Sequence, residues 1–299
     1  MQDGKVVASQ RELLPVKEGE RGIRQSDAVF IHLKKLPQLF HELIEQIDRN
    51  NVQAVGVSTR PRNVEGSYMP VFVAGDSVSK VLADSFGARR YEFSHQDGHI
   101  MAGILSTERG ELLKKPFLAV HLSGGTTEIL RTEYTGTGFR QDIIGGTSDL
   151  SAGQFIDRVG VSLGLPFPCG KKLEEMAQVA QDTYPFPVSV KGTQISFSGV
   201  ETKAQRILSE EKPEAIALGV FMCVAKSLKR ALNSAAKGTG CSDILFVGGV
   251  ASNALIRQYL TKNLSQSCHF AQPEYATDNA CGIAALAERT FIWNQRLQP

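Results

Sequence analysis

Two histidines four positions apart, His95 and His99, are the first candidates for chemistry in this sequence. Residues at this spacing share one face of an α-helix, so both imidazoles could reach a single metal ion. The spacing matches the histidines of HExxH zinc proteases, but Gln96 stands where the glutamate should be, and an amide cannot serve as a general base. A metalloprotease is therefore the least favoured alternative. A pair of ordinary surface histidines is the other alternative, and a metal site needs a third ligand.

Asp278 is the candidate for that third ligand. It lies in the segment Ala276–Asn279, where a Thr-Asp-Asn cluster is in the first place typical of a helix N-cap. A carboxylate is nevertheless a good ligand for hard cations, and two histidines with one aspartate would form a facial set for Fe(II) or Zn(II) with open positions.

Two glycine-rich turns are candidates for binding phosphate or ribose. Ser123-Gly124-Gly125 separates two apolar runs, and Gly248-Gly249 follows an apolar run and leads to Asn253. Glycines let backbone N–H groups approach a phosphate without a side chain in the way. A plain hairpin turn and an ordinary helix cap remain the alternatives.

Asp157 is a further candidate, on a helix whose other residues Phe155, Ile156 and Val159 are suited to a core. An acid that reaches a cleft from such a helix could bind ribose hydroxyls. A solvated carboxylate is the alternative.

The composition is that of an ordinary globular protein of 299 residues, with 42% hydrophobic and 21% charged residues. The net charge of +2 does not by itself indicate nucleic-acid binding. The five cysteines are widely spaced and odd in number, which argues against a disulfide framework. No apolar run is long enough to span a membrane, and the polar start lacks a signal-peptide core, so we expect a cytoplasmic protein.

The pattern of apolar residues and breakers predicts an α/β protein with two lobes and a cleft between them. We expect an N-terminal lobe at 1–115 and a C-terminal nucleotide-binding lobe at 116–299, with the last helix returning to the first lobe. The predicted helices are 26–47, capped by Ser26 and Asp27, then 71–86, 150–163, 213–236, and two starting near 253 and 278. The predicted strands are 52–57, 91–93, 117–122, 127–130, one ending at 143–144, 188–197 and 244–247.

The first residues contain a turn signal, Asp3-Gly4, ahead of a strand-like pair, Val6 and Val7. A hairpin needs a strand before such a turn. We therefore expect the sequence to begin in the middle of a β-hairpin.

Seven segments, in this order, resemble the motifs of the TsaD family, whose archaeal and eukaryotic relatives form the KEOPS complex. They are SHQDGHI (94–100), LSGGTT (122–127), SAGQFIDRVG (151–160), LGLPFPCG (163–170), ISFSGVETK (195–203), VGGVASNALIR (247–257) and YATDNA (275–280). A chance match of seven ordered motifs is very improbable.

The resemblance implies the ASKHA fold, shared with actin, Hsp70 and sugar kinases. It implies transfer of a threonylcarbamoyl group from threonylcarbamoyl-AMP to N6 of adenosine 37, in tRNAs that read codons beginning with A. Implied partners are this tRNA and proteins like TsaB and TsaE or the KEOPS subunits, without a membrane.

The resemblance also assigns residues. One divalent metal, Fe or Zn, is expected on His95, His99 and Asp278. An adenine nucleotide or adenylate is expected at a set of residues in the second lobe, with no catalytic residue assigned. The members of that set are His121, Leu122, Ser123, Gly124, Gly125, Asp157, Gly170, Glu174, Gly248, Gly249 and Asn253.

Three departures from the family pattern bear on activity. The family opens with a strand carrying an Asp-Thr-Ser type motif, which is not found here; the sequence starts late, the gene start is misassigned, or the protein is a diverged paralogue. Thr126 replaces a histidine after the glycines, and Gln154 stands where glutamate is usual. A catalytically impaired nucleotide-binding paralogue with a regulatory or scaffold role is therefore the alternative function.

Overall fold

The computed structural model describes residues 1–14 and 23–296, which form two compact units. Unit 1 comprises Met1–Leu105, Tyr134–Arg140 and Asp278–Pro299, and unit 2 comprises Ser106–Glu133 and Gln141–Thr277. The boundary predicted from sequence, between residues 115 and 116, lies further along the chain than the end of the first segment of unit 1. The last helix belongs to unit 1.

Helices and strands alternate along most of the chain, as in other α/β proteins. The helices are α1 (Gln25–Ile44), α2 (Phe72–Phe86), α3 (His95–Thr107), α4 (Ala152–Ser162), α5 (Gly170–Gln178), α6 (Ser198–Ile207), α7 (Pro213–Thr239), α8 (Ala254–Asn263), α9 (Pro273–Ala276) and α10 (Cys281–Arg296). The strands are β1 (Ala54–Arg60), β2 (Arg89–Ser94), β3 (Phe117–Leu122), β4 (Thr127–Tyr134), β5 (Phe139–Thr147), β6 (Val190–Lys191), β7 (Gln194–Ile195), β8 (Asp243–Val247) and β9 (Ser267–Phe270).

Most of the predicted elements are confirmed, and several details were wrong. Val6 and Val7 form no strand; instead Gln2 and Lys5 pair across a turn in which Asp3 and Gly4 have positive φ. The predicted cap of α1 is not formed, because its N-cap position is Arg24 and makes no side-chain cap bond. The last helix begins at residue 281, later than predicted, and α5, α6, α9 and β9 were not predicted.

Unit 2 is built on a sheet whose strand order is β6-β7-β5-β4-β3-β8-β9. Strand β3 runs antiparallel to β4 and parallel to β8, and β8 runs parallel to β9. Helix α7 contributes a long series of fully buried residues to the core, which includes Phe155 stacked on Phe197 at 5.3 Å between ring centroids. Because β3 and β8 are parallel neighbours, the loops that follow these two strands lie at the same edge of the sheet.

Unit 1 is organised around three glycines that let α10 approach its neighbours closely. A Cβ at Gly282 would lie 2.0 Å from the carbonyl oxygen of Gly98 on α3, and one at Gly98 would lie 2.9 Å from Ile283. A Cβ at Gly56 of β1 would lie 2.9 Å from the Cβ of Ala287. Helix α10 therefore contacts α3 backbone to backbone, and only glycine fits at the crossing.

An ionic cluster around the buried carboxylate of Asp243, at the start of β8, joins Lys115, just before β3, to His269 in β9. The carboxylate of Asp243, a residue that is 8% exposed, lies 2.6 Å from Lys115 Nζ and 3.0 Å from His269 Nε2, and accepts a bond from Ser242 Oγ at 2.8 Å. Burial alone would raise the pKa of Asp243, but the hydrogen bonds from Lys115, His269 and Ser242 outweigh it and lower the pKa to about 2.

We predict that Gly282→Ala lowers the free energy of unfolding by about 1–3 kcal/mol, because the new methyl group forces the α3–α10 crossing apart. Urea denaturation of the purified protein measures the change. Gly238→Ala is the matched control, since it lies in α7 with no atom within 4 Å of the added Cβ, and there we expect no loss or a small gain. Equal behaviour of the two variants would contradict the close crossing.

We predict that Asp243→Asn costs about 1–3 kcal/mol of unfolding free energy at pH 7, because the largely buried carboxylate loses its charge while its hydrogen-bond donors remain beside it. A carboxyl whose pKa is lowered on folding stabilises the fold above its unfolded pKa of about 4, and this stabilisation is lost as the pH falls toward the folded pKa. The difference from wild type should therefore shrink between pH 5 and pH 2–3, in denaturation curves recorded along that range. The exposed Asp182, changed to Asn, serves as the control and should show little difference at any pH.

Candidate metal centre and nucleotide site

The first turn of α3 is held by a reciprocal pair of hydrogen bonds between Ser94 and Asp97. Ser94 Oγ accepts from the backbone N–H of Asp97 at 3.0 Å, and Asp97 Oδ2 accepts from the backbone N–H of Ser94 at 3.1 Å. This is a capping box, in which a buried serine and a buried acid satisfy each other's backbone donors. It fixes His95 as the first residue of the helix and places His99 one turn later.

Asp278 lies between α9 and α10 and does not cap the helix, which corrects that interpretation of the sequence. Asn279 takes the local role instead: its Oδ1 accepts from the backbone N–H of Cys281 at 3.0 Å. The first backbone bond of the helix runs from Ala284 to the carbonyl of Ala280. The carboxylate of Asp278 is thus available to the histidines, and the α3–α10 crossing brings it to them.

The side chains of His95, His99 and Asp278 converge on one point. The two Nε2 atoms are 3.1 Å apart, and each lies 3.2 Å from Asp278 Oδ1. An ion bound at about 2.0–2.1 Å would hold tetrahedral ligand atoms roughly 3.3 Å apart, close to these values. Two imidazole nitrogens and a carboxylate oxygen are also the ligand types that zinc and ferrous iron accept. The three residues form a possible metal site that fits such an ion.

The metal-site residues differ sharply in exposure. The side chain of His99 is 6% exposed, that of His95 is 35% exposed and that of Asp278 is 79% exposed. The ring of Phe72 meets His95 edge-on at 5.8 Å between centroids. Hydrogen bonds with His95 and His99 hold the pKa of Asp278 well below its usual range, so this ligand is ionised at neutral pH. His99 is thus buried, whereas Asp278 and part of His95 are open to solvent.

In unit 2 the two glycine-rich turns, which were separate candidates in the sequence, follow adjacent parallel strands. Ser123, Gly124 and Gly125 follow β3, and Gly248 and Gly249 follow β8. A Cβ at Gly248 would lie 2.2 Å from the carbonyl oxygen of Leu122 and 3.1 Å from the ring of His121, and the φ of Gly248 is 96°. Loops at the carboxyl ends of parallel strands are the usual ligand sites of α/β sheets.

The start of α4 packs directly on the first of these turns. Ser151 Oγ donates to the carbonyl of Gly124 at 2.7 Å, and a Cβ at Gly153 would lie 2.5 Å from Gly124 Cα. Ser151 and Gln154 form a capping box, a role that glutamine fills as well as the glutamate that the family pattern usually has. The helix N-terminus and the Gly124–Gly125 turn therefore form one rigid element, in which both glycines have open space around the Cβ position.

Four other predicted nucleotide residues in the same unit either lie at a helix start or bond to one: Asp157, Gly170, Glu174 and Asn253. Asp157 Oδ1 accepts from the backbone N–H of Cys169 at 2.8 Å, immediately before Gly170 opens α5. Burial raises the pKa of Asp157, and the bond from Cys169 opposes that rise. Glu174 Oε1 accepts from the backbone N–H of Ala254 at 2.6 Å, at the start of α8.

The last of these residues, Asn253, caps α8 with its Oδ1, which accepts from the backbone N–H of Ile256 at 2.9 Å. Asp157, Glu174 and Asn253 thus each make a structural hydrogen bond. For Asn253 this helix cap was the alternative, whereas the alternative for Asp157 was a solvated carboxylate and its bond from Cys169 was not predicted. Their binding of a nucleotide stays a prediction.

The residues that support the metal ligands without being ligands themselves were not predicted from the sequence. Gly98 and Gly282 permit the helix crossing, and Asn63 donates to Asp97 Oδ2 at 2.7 Å. Gly98 does lie between the two histidines, and Gly282 opens α10, so small residues on both helices were the available signal. Nothing in the sequence pattern pointed to Asn63.

Within the residues that the structure describes, none of the helices has the length and apolar character needed to cross a membrane.

Comparison with known proteins matches almost the whole chain to the family whose motifs the sequence resembles. The family model TsaD, tRNA N6-adenosine threonylcarbamoyltransferase, matches residues 4–285. A tRNA N6-adenosine threonylcarbamoyltransferase of Thermus thermophilus is 32% identical over 298 residues, which cover 97% of this chain and 87% of the relative. The enzyme of the same name from Carboxydothermus hydrogenoformans is 30% identical over 271 residues, covering 87% and 78%.

Among solved structures, HypF of T. kodakarensis superposes with a TM-score of 0.64 at 14% sequence identity. The match covers 87% of this chain and 44% of that longer one, and at this identity it speaks for the fold alone. The predicted α/β fold of the ASKHA class is confirmed by this likeness together with the family match. The chain belongs to the TsaD family of tRNA N6-adenosine threonylcarbamoyltransferases.

Proposed function

We propose that this chain transfers a threonylcarbamoyl group to N6 of adenosine 37 in tRNA, with the help of a divalent metal held by His95, His99 and Asp278. The transferase activity is that of its family, and the chain spans most of the length of its relatives. The observation that carries the metal site is the meeting of three ligand atoms, within 4.8 Å of one another, on residues far apart in the sequence.

The chemistry of the reaction suits such a site. The amine of adenosine attacks the carbamoyl carbon of threonylcarbamoyl-AMP, the bond to the phosphate breaks, AMP leaves, and the amine loses a proton. When bound, a divalent metal supplies a Lewis acid that polarises the carbamoyl oxygens. The buried His99 and the capped start of α3 hold the ligand set in place, while the exposed sides of His95 and Asp278 face the substrate. Iron and zinc are both compatible with these ligands.

We propose that the adenylate binds in unit 2, at the turns that follow β3 and β8. The backbone N–H groups of Gly124 and Gly125 are suited to the phosphate, since no side chain stands over them. Asp157 is suited to the ribose hydroxyls. Its Oδ1 is engaged with Cys169, and we assign the second carboxylate oxygen to the ligand.

We propose that the tRNA substrate is one that decodes codons beginning with A. Its binding requires basic residues on the protein surface. The candidates from the sequence are Arg60, Arg62, Arg89, Arg90, Lys114, Lys115, Lys171 and Lys172. Among them, Arg90 is paired with Asp76 and Glu92, and Lys115 is paired with Asp243. Those two are therefore poor phosphate ligands. Two exposed lysines at the start of α5, residues 171 and 172, are better placed for that role.

We further propose protein partners of the TsaB and TsaE or KEOPS type, and a cytoplasmic site of action because the substrate is tRNA. The five cysteines are free thiols, in keeping with a reducing compartment. The alternative of an impaired regulatory paralogue gains no support from the relatives, which are named as transferases.

We predict that His99→Ala and Asp278→Ala each weaken metal binding at least about 100-fold and reduce tRNA modification in proportion, because a three-residue ligand set loses a member. Metal content and affinity are measured by titration with zinc or cobalt(II). Formation of modified adenosine is measured with threonylcarbamoyl-AMP, tRNA and the partner proteins. His41→Ala, an exposed histidine of α1, is the control and should leave both unchanged. Full metal binding by the Asp278 variant would remove the proposed site.

We predict that Asp157→Asn weakens binding of AMP or ADP about tenfold, because a charge-assisted hydrogen bond to the ribose becomes a neutral one. The amide oxygen still accepts the bond from Cys169, so α5 should keep its position. Calorimetric titration measures the affinity, with Glu175→Gln on the exposed side of α5 as the control. An unchanged affinity in the Asp157 variant would limit this residue to its structural bond.

A further inference from the structure

Asp97 is a buried carboxylate at the centre of the metal-binding helix start. It is 2% exposed, and its Oδ2 accepts two hydrogen bonds, from the backbone N–H of Ser94 at 3.1 Å and from Asn63 Nδ2 at 2.7 Å. A charged group out of contact with water is costly unless donors surround it. The shorter of the two bonds comes from Asn63, in the loop that follows β1.

The amide of Asn63 is oriented by the chemistry of its two neighbours. Its Oδ1 accepts from Arg60 Nη2 at 2.8 Å, and a guanidinium can only donate. Its Nδ2 faces the carboxylate of Asp97, which when ionised can only accept, and approaches the carbonyl of Phe139 at 3.4 Å. A flipped amide would lose both strong bonds, so the side chain has one favoured orientation even though Asn63 is exposed.

A second bond ties the same loop to the same helix turn. The backbone N–H of Gln96 donates to the carbonyl of Pro61 at 3.1 Å. His95 therefore lies between Ser94 and Gln96, whose backbone groups are fixed by Asp97 and by the loop. The loop thus sets the direction in which the side chain of His95 projects from the start of α3.

We propose that Asn63 is a positioning residue for the metal centre, acting through Asp97 to fix the first turn of α3 and with it the imidazole of His95. The inference rests on the proposed metal site. Loss of the Asn63 amide leaves the buried carboxylate with one donor fewer, so the capping box loosens and the His95 ring spreads over several positions. Groups that orient metal ligands from behind commonly contribute tenfold or more to metal affinity.

The test is titration of the metal-free full chain with cobalt(II), whose visible spectrum reports both affinity and ligand geometry. We expect Asn63→Leu, which keeps the bulk and removes the hydrogen bonds, to raise the cobalt dissociation constant about tenfold. We also expect it to change the absorption bands. Asn51→Leu is the matched control, because Asn51 Nδ2 makes the same kind of bond, at 2.6 Å, to the carboxylate of Asp48 in the same unit. That variant should bind and absorb as wild type does.

A double-mutant cycle separates action through Asp97 from a general loss of stability. In an Asp97→Ala background, Asn63→Leu should have no further effect on cobalt affinity, because the group through which it acts is gone. Melting temperatures of the metal-free variants show whether the proteins are folded. We expect Asn63→Leu to melt somewhat below Asn51→Leu, because only the first of these substitutions leaves a buried carboxylate with one donor fewer.

Each possible result either supports or overturns the positioning role of Asn63. Wild-type cobalt affinity and spectrum in Asn63→Leu would overturn the positioning role while leaving the metal site intact, provided that His99→Ala abolishes binding. An additive effect in the Asp97→Ala background would also overturn it. A wild-type chain that binds no cobalt would remove the metal site and this inference together.

Discussion

The contact on which the candidate metal centre depends is the backbone-to-backbone crossing of α3 and α10. Asp278 is 183 residues from His95 along the chain, yet its carboxylate oxygen lies 3.2 Å from the Nε2 of that histidine. A Cβ at Gly282 would be 2.0 Å from the carbonyl oxygen of Gly98, so a side chain at the crossing would hold the two helices apart. The distance between ligand atoms is thereby set by the absence of two side chains that take no part in chemistry.

The two candidate sites are built by different means, each within one unit. In unit 1 the ligands come from helix starts, where His95 begins α3 and Asp278 precedes α10. In unit 2 the candidate residues follow the carboxyl ends of β3 and β8, and the start of α4 is bonded to Gly124. A metal site needs a few side chains at fixed separations, whereas a phosphate site needs backbone N–H groups that are open to the ligand. The helix starts of unit 1 supply the side chains at fixed separations, and the turns of unit 2 supply the open backbone N–H groups.

Many of the helices and strands could be predicted from the sequence, and the physical reasons can be identified. Long apolar runs predicted β3, β8 and α7, because burial on most sides leaves little ambiguity about such segments. Helices α5 and α6 are short and rich in charge, and β9 carries Ser267 and His269, so their patterns were too weak to predict.

Predictions of local detail failed where tertiary contacts decide. Phe30 and Leu33 have the helical spacing of residues on a buried face of α1, yet they are 61% and 49% exposed in the structure. The pairing of Asp278 with the histidines followed from the order of family motifs, since spacing alone made it an N-cap. Asn63 was out of reach, because its role depends on a loop meeting a helix that begins more than thirty residues later.

The charges around the start of α3 follow from the field of the helix itself. The N-terminal end of a helix carries a partial positive charge, so a divalent cation bound beside it is opposed by the helix dipole. The carboxylate of Asp97 is buried within this first turn, and that of Asp278, just before α10, lies beside the two histidines. Asp97 thus closes the cap of the helix and, when ionised, would also offset the charge of a cation held by the three ligands. A neutral residue at position 97 could serve the first of these purposes, but it could not serve the second.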